Sequence, residues 1–151
     1  MTRTTGSTIV AAALVLASAS TVLAQKPNTT NTPGAKTKAN DAQVCAADYE
    51  ASLKPVSNFQ RADALKRYGR DPNSFTGELD HLIPVSLGGS NDPDNLWPIP
   101  PNKEYGVEWK RELEKTLHQM VCDKKITLKA AQDTIKKDWT KAYDQYVKNA
   151  Q

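Results

Sequence analysis

The stretch from Glu78 to Pro98, ELDHLIPVSLGGSNDPDNLWP, sets the tightest limit on what this chain can fold into. Its two apolar runs, Glu78 to Val85 and Asn95 to Ile99, read as short strands. Between them Leu87-Gly88-Gly89-Ser90-Asn91-Asp92-Pro93-Asp94 is turn chemistry throughout. Pro84 lacks the N–H that a central strand donates to its neighbours, so the first run belongs at an edge or an end. Pro100-Pro101 stops the second run. The sequence therefore offers a two-stranded ribbon. A ribbon of that size is marginal by itself and needs helices to cover it.

Those helices are visible on both sides. Phe59, Ala62, Leu65 and Tyr68 recur every three residues, with Gly69 placed to end the helix. Downstream, Tyr105, Trp109, Leu113 and Leu117 recur every four residues and form one apolar stripe. Thr127 is a good N-cap for a last helix, whose buried face is Leu128, Ala131, Ile135, Trp139, Ala142, Tyr143 and Tyr146. Both aromatic stripes read as core packing. The fold class is α+β: a two-stranded ribbon with flanking N-terminal and C-terminal helices.

At 151 residues the chain has the size of one domain. Residues 1–24 read as a secretory signal: Arg3 is the sole charge, Ile9 to Ala17 is apolar, and Val22-Leu23-Ala24 supplies a cleavage pattern. Export to a secreted or periplasmic location is expected, with no membrane attachment after cleavage. Residues 25–43 lack any large apolar side chain before Val44 and read as a flexible tether. The folded domain then runs from 44 to 151. Two cysteines exclude both a disulfide-framework miniprotein and a four-cysteine zinc module. In an oxidising compartment Cys45 and Cys122 are expected to pair, against the alternative of two free thiols. The net charge of +3 permits an acidic partner without demanding one.

Only two histidines are present. His81 follows Asp80 in the first strand, and Asn95 opens the second. Strand alternation sends Asp80 and His81 to opposite faces unless the strand ends or twists near Pro84. His118 lies four residues after Glu114, and that spacing brings two side chains onto one helical face, close enough to share a metal ion or to form an ordinary surface pair. Phosphodiester hydrolysis needs such parts. A histidine neutral near pH 7 serves as general base, and a divalent ion stabilises the charge that builds on phosphate and leaving oxygen.

The string Asp80-His81, Ile83-Pro84, Gly88-Gly89 and Asn95-Leu96-Trp97-Pro98 resembles, in order, the HNH endonuclease family of ββα-metal nucleases. A looser similarity to small exported bacterial HNH-type proteins runs from Val44-Cys45 to Tyr146 and includes Leu113-Glu114, Leu117-His118 and Val121-Cys122. The resemblance implies a ββα-metal core, His81 as general base, Asp80 as metal ligand, and Asn95 bracing the ribbon or orienting His81. The family's third signature residue has no histidine at its usual place. Either Asn102 fills the role, or His118 with Glu114 does. The implied cofactor is one divalent ion, Mg²⁺ or Mn²⁺ first, with Zn²⁺ and Ni²⁺ as alternatives. The implied substrate is nucleic acid, DNA first, cut with little sequence preference. Lys110, Arg111 and Lys115 are the candidates for phosphate contact, against the reading of a solvated helix face of mixed charge. The competing function is a secreted metal- or partner-binding module on a degenerate scaffold.

Overall fold

The structure, a computed structural model, describes residues 26–101 and 104–150. The expected signal segment and Asn102 lie outside the described residues. The elements are α1 (Asp41–Val44), α2 (Tyr49–Ser52), α3 (Asn58–Arg67), β1 (Glu78–His81), β2 (Leu96–Ile99), α4 (Val107–Cys122) and α5 (Leu128–Tyr146). Short 3-10 turns precede β2 and follow β1 and α5. The class is α+β. Among the described residues no helix is long and apolar enough to cross a membrane.

β1 and β2 pair antiparallel, with Asp80 opposite Trp97 and His81 opposite Leu96. Both strands are shorter than the apolar runs suggest. After His81 the backbone leaves the ladder: Leu82 and Ile83 turn into the core, and Pro84 opens a 3-10 turn at Val85–Leu87. Asn95 ends the second such turn instead of opening β2.

Local chemistry explains the helix ends. Ser57 caps α3 in a capping box with Gln60. At the other end Gly69, at φ +64°, and Arg70 return N–H groups to Lys66 and Leu65 carbonyls. Its expected face holds at Leu65, which is fully buried, and at half-buried Ala62 and Tyr68, but fails at Phe59, which is exposed, while Ala64 is buried beside Leu65. A repeat of three drifts around a helix of 3.6 residues per turn, so it does not hold one face. Thr127 caps α5 by accepting the Ala130 N–H. α5 is broken at Asp138, whose backbone is extended at φ −168°. There the Asp138 side chain accepts the Lys141 N–H at 3.3 Å, capping the second half of the helix, and also accepts from Thr140 Oγ1 at 2.8 Å and Lys26 Nζ at 2.6 Å.

Leu113, Leu117 and Val121 of α4 meet Ala131, Ile135 and Trp139 of α5 in one core, and Ile83, Leu87 and Trp97 close it from the ribbon side. A disulfide joins Cys45, just after α1, to Cys122 at the end of α4.

The stretch expected to be a tether departs from that reading. Thr32 is completely buried. Its hydroxyl donates to the Leu96 carbonyl at 2.9 Å and meets Tyr68 Oη at 2.8 Å. Gly34 N–H bonds the Asp94 carbonyl, Thr37 N–H the Gly88 carbonyl, and Ser90 N–H the Ala35 carbonyl. The segment is held by peptide hydrogen bonds along the inter-strand loop, which substitute for the apolar burial it lacks.

Candidate functional site

Asp80 and His81 diverge, as strand alternation requires. Asp80 Oδ2 faces α4 and accepts from Trp97 Nε1 at 3.1 Å. His81 turns toward the loop, where its Nε2 lies 2.9 Å from Asn91 Oδ1. The Asn91 amide is oriented by its other end, since Nδ2 donates to the Lys54 carbonyl at 2.7 Å. Oδ1 therefore accepts, Nε2–H donates, and Nδ1 is left as the basic nitrogen of the neutral ring. Burial holds the His81 pKa below its ordinary value and Lys110 adds to that, against the opposing pull of Asn91 and Asp80. The imidazole is neutral at pH 7 and ready to accept a proton. Asn91 escaped the sequence reading because it sits among turn residues that need no further explanation.

Asn95 braces the loop and does not touch His81. It is completely buried. Its Oδ1 accepts the Ile83 N–H at 2.9 Å, while Nδ2 donates to the carbonyls of Ile83 at 2.8 Å and Ser90 at 2.9 Å. Gly89 packs so closely under this brace that a Cβ would lie 1.7 Å from the Ile83 oxygen.

The centre of the cluster is Lys110. Expected as a phosphate contact, its side chain is instead 0% exposed. Nζ donates to the His81 carbonyl at 2.8 Å and to Glu114 Oε1 at 2.6 Å, and lies 3.2 Å from Asp80 Oδ2. Burial works against the ammonium, but the Asp80 and Glu114 charges outweigh it and hold its pKa above the usual lysine value. The other expected phosphate contacts stay at the surface. Arg111 pairs with Glu78 and Glu108 and keeps 54% of its side chain exposed, and Lys115 is exposed.

His118 belongs to a different cluster, which corrects its grouping with Asp80 and Glu114. Its Nε2 is 2.9 Å from the Val44 carbonyl and 3.5 Å from Cys122 Sγ. A ring nitrogen of His118 and the two sulfurs of Cys45 and Cys122 all lie within 4.8 Å of one another. Such a set has the chemistry of a soft-metal site, but both sulfurs are already joined in the disulfide and neither is a thiolate.

A divalent ion at Asp80 does not fit the side chains as they stand. Asp80 Oδ2 already takes the Trp97 indole and the Lys110 ammonium, Glu114 Oε1 takes the same ammonium, and His118 faces away. The positive charge that an ion would bring is present as Lys110.

A separate cavity of about 680 Å³ opens between the Lys26 segment, the end of α3 and the far end of β2. Arg67, Tyr68, Arg70 and Phe75 line it; Asp80 and His81 do not. Comparison with known proteins finds no matching family model, no similar curated protein and no similar solved structure.

Proposed function

We propose that this chain is an exported HNH-type nuclease that hydrolyses phosphodiester bonds, DNA first, with His81 as the general base. The observation that carries this reading is the state of His81: a half-buried imidazole on a ribbon, held neutral by burial, with Nε2–H pinned by Asn91. Nδ1 then takes the proton of an attacking water, whose oxygen bonds to phosphorus as the bond to the leaving oxygen breaks, and that oxygen takes a proton from solvent. A base works best when its orientation is fixed and it is unprotonated at the working pH. Asn95 supports this by fixing the turn that follows His81. The Asp80-His81 to Trp97-Pro98 string is the sequence support. Exposed Lys115 and Arg111 on α4 are the cations at hand for the nucleic-acid backbone, whose charge they attract irrespective of sequence.

The test is nicking of supercoiled plasmid and cleavage of single-stranded DNA and RNA by the oxidised chain. Parallel reactions contain Mg²⁺, Mn²⁺ or EDTA, and His81→Ala is run beside the wild type. The reading expects cleavage by wild type that His81→Ala loses while staying folded. One observation favours the second reading, a binding module on the same scaffold: the Lys110 ammonium closes the place where the family resemblance puts a metal ion. No cleavage of any substrate by folded wild type, in any metal, selects that reading.

A further inference from the structure

Lys110 spends all of its donor capacity on the protein. An ammonium has three protons, and three acceptors surround Nζ: the His81 carbonyl at 2.8 Å, Glu114 Oε1 at 2.6 Å and Asp80 Oδ2 at 3.2 Å. The side chain is wholly buried, so no proton points to water or to a phosphate. The acceptors come from β1 and α4, which are separated by more than 25 positions in sequence. Two carboxylates and a main-chain carbonyl converging from a strand and a helix on one point form a hard-oxygen nest. Oxygen nests of this kind hold Mg²⁺ or Mn²⁺ when a site is open, with metal–oxygen distances of about 2.1 Å. Here the convergence is fitted to the longer contacts of an ammonium. Trp97 Nε1 also donates to the Asp80 oxygen that faces Lys110, at 3.1 Å, which sets that oxygen for hydrogen bonds.

We propose that Lys110 is the resident cation of this nest, and that the chain binds no divalent ion at Asp80 and Glu114. The site is a cation site closed by the protein's own side chain. A divalent ion entering it would have to expel a buried lysine stem as well as its charge. The inference concerns the cation alone and stands whether or not the chain cuts nucleic acid. Metal binding is measured without nucleic acid, so the outcome here and the outcome of the nuclease assay are separate.

The experiment is Mn²⁺ titration of the full oxidised chain, followed by electron paramagnetic resonance of free Mn²⁺. The proteins are wild type, Asp80→Asn, Lys110→Met and the Lys110→Met/Asp80→Asn double variant. Wild type and Asp80→Asn are expected to give the same isotherm, any weak surface binding included. Lys110→Met is expected to gain a site at least about tenfold tighter, a difference of about 1.4 kcal/mol, and the double variant to lose it. Wild-type binding that weakens about tenfold or more in Asp80→Asn overturns the proposal. So does a folded Lys110→Met that gains no site, because the oxygens would then not form a cation nest. Should Lys110→Met fail to fold, the nitrogen NMR signal of the Lys110 ammonium in wild type decides. A slowly exchanging signal that saturating Mg²⁺ leaves in place supports the resident cation, and its displacement by Mg²⁺ overturns it.

Discussion

Asn95 returns both ends of its amide to Ile83, taking the N–H on Oδ1 at 2.9 Å and giving Nδ2 to the carbonyl at 2.8 Å. The ladder between the strands gives Ile83 no partner, since its last bond runs from the Leu82 N–H to the Asn95 carbonyl. Asn95→Ala leaves that N–H and two carbonyls, those of Ile83 and Ser90, without their partner in a buried loop. Each stranded group costs about 1–3 kcal/mol, so a loss of about 3 kcal/mol or more is expected in urea denaturation. Asn95→Asp should be no better. Its second oxygen would face two carbonyls where an amide N–H₂ now donates.

Gly89 adds a steric test of the same loop. The added methyl of Gly89→Ala would meet the Ile83 carbonyl oxygen at 1.7 Å and the Asn95 amide nitrogen at 2.9 Å. Those are main-chain and braced atoms that do not yield. The variant is expected to be unfolded or to lose most of its stability. Gly69→Ala is the control: nothing lies within 4 Å of its Cβ position, so only the left-handed backbone is strained, at about 1 kcal/mol. Thermal denaturation of the two variants side by side checks the contrast.

Removing Lys110 should be costly, and the cost should depend on its partners. Lys110→Ala leaves Asp80 and Glu114 facing each other without a counter-charge and opens a space in the core. Breaking one side of a buried ion pair typically costs about 3–5 kcal/mol. Lys110→Met with Asp80→Asn and Glu114→Gln removes all three charges and keeps much of the volume, so it should recover a large part of that loss. A triple variant no more stable than Lys110→Ala would place the cost in packing instead of charge. Equilibrium urea curves of the three proteins decide.

How far the sequence announces this arrangement depends on whether the signal is local. The α4 and α5 stripes are legible because Leu113, Leu117, Ile135 and Trp139 repeat at helical spacing and bury where the repeat says. Thr127 and the Cys45–Cys122 pair were legible for similar reasons, one from a cap motif and one from cysteine number. Lys110 was not. In KRELEK a lysine four residues before a glutamate reads as a solvated helix pair, and only the tertiary approach of Asp80 encloses it. His118 has Glu114 one turn before it and Cys122 one turn after it, so spacing alone cannot choose between them. The choice is made by Cys45, which anchors α1 and brings the Val44 carbonyl to the ring. The segment from Lys26 to Asn40 was hidden because composition counts apolar surface, whereas its attachment is through peptide hydrogen bonds to the loop. The break at Asp138 has two local partners, Thr140 and Lys141, and a distant one, Lys26, which no local pattern announces.

The pH dependence of stability should fall into two windows. The folded state holds His81 below its ordinary value of 6.5, because burial disfavours the imidazolium. As pH falls past 6.5 the unfolded chain takes up the proton first, so folding stability drops toward acid, and it is fully present above that pH. Asp138 acts lower. Burial raises its pKa, but hydrogen bonds from Lys26, Thr140 and the Lys141 N–H outweigh that and depress it below 3.8. Its contribution is present above pH 3.8 and is lost as pH falls through the depressed folded value. His81→Ala should flatten the upper window and leave the lower one. Stability measured by urea at a series of pH values tests this, and an unchanged slope just below pH 6.5 in His81→Ala would assign the loss to other groups.

His118 and the disulfide give a last test that separates anchoring from chemistry. The Cys45–Cys122 bond closes a loop of 77 positions, which in the chain-entropy account is worth up to about 4 kcal/mol. The paired change Cys45→Ser with Cys122→Ser should approach that loss, and it should match the effect of dithiothreitol on wild type. His118 contributes one hydrogen bond to the Val44 carbonyl beside the bridge. His118→Ala should therefore cost about 1 kcal/mol and leave plasmid nicking as in wild type in each of Mg²⁺, Mn²⁺ and EDTA, in contrast to His81→Ala. A folded His118→Ala that has lost cleavage while His81→Ala retains it would move the reacting centre to the Cys45 end of α4.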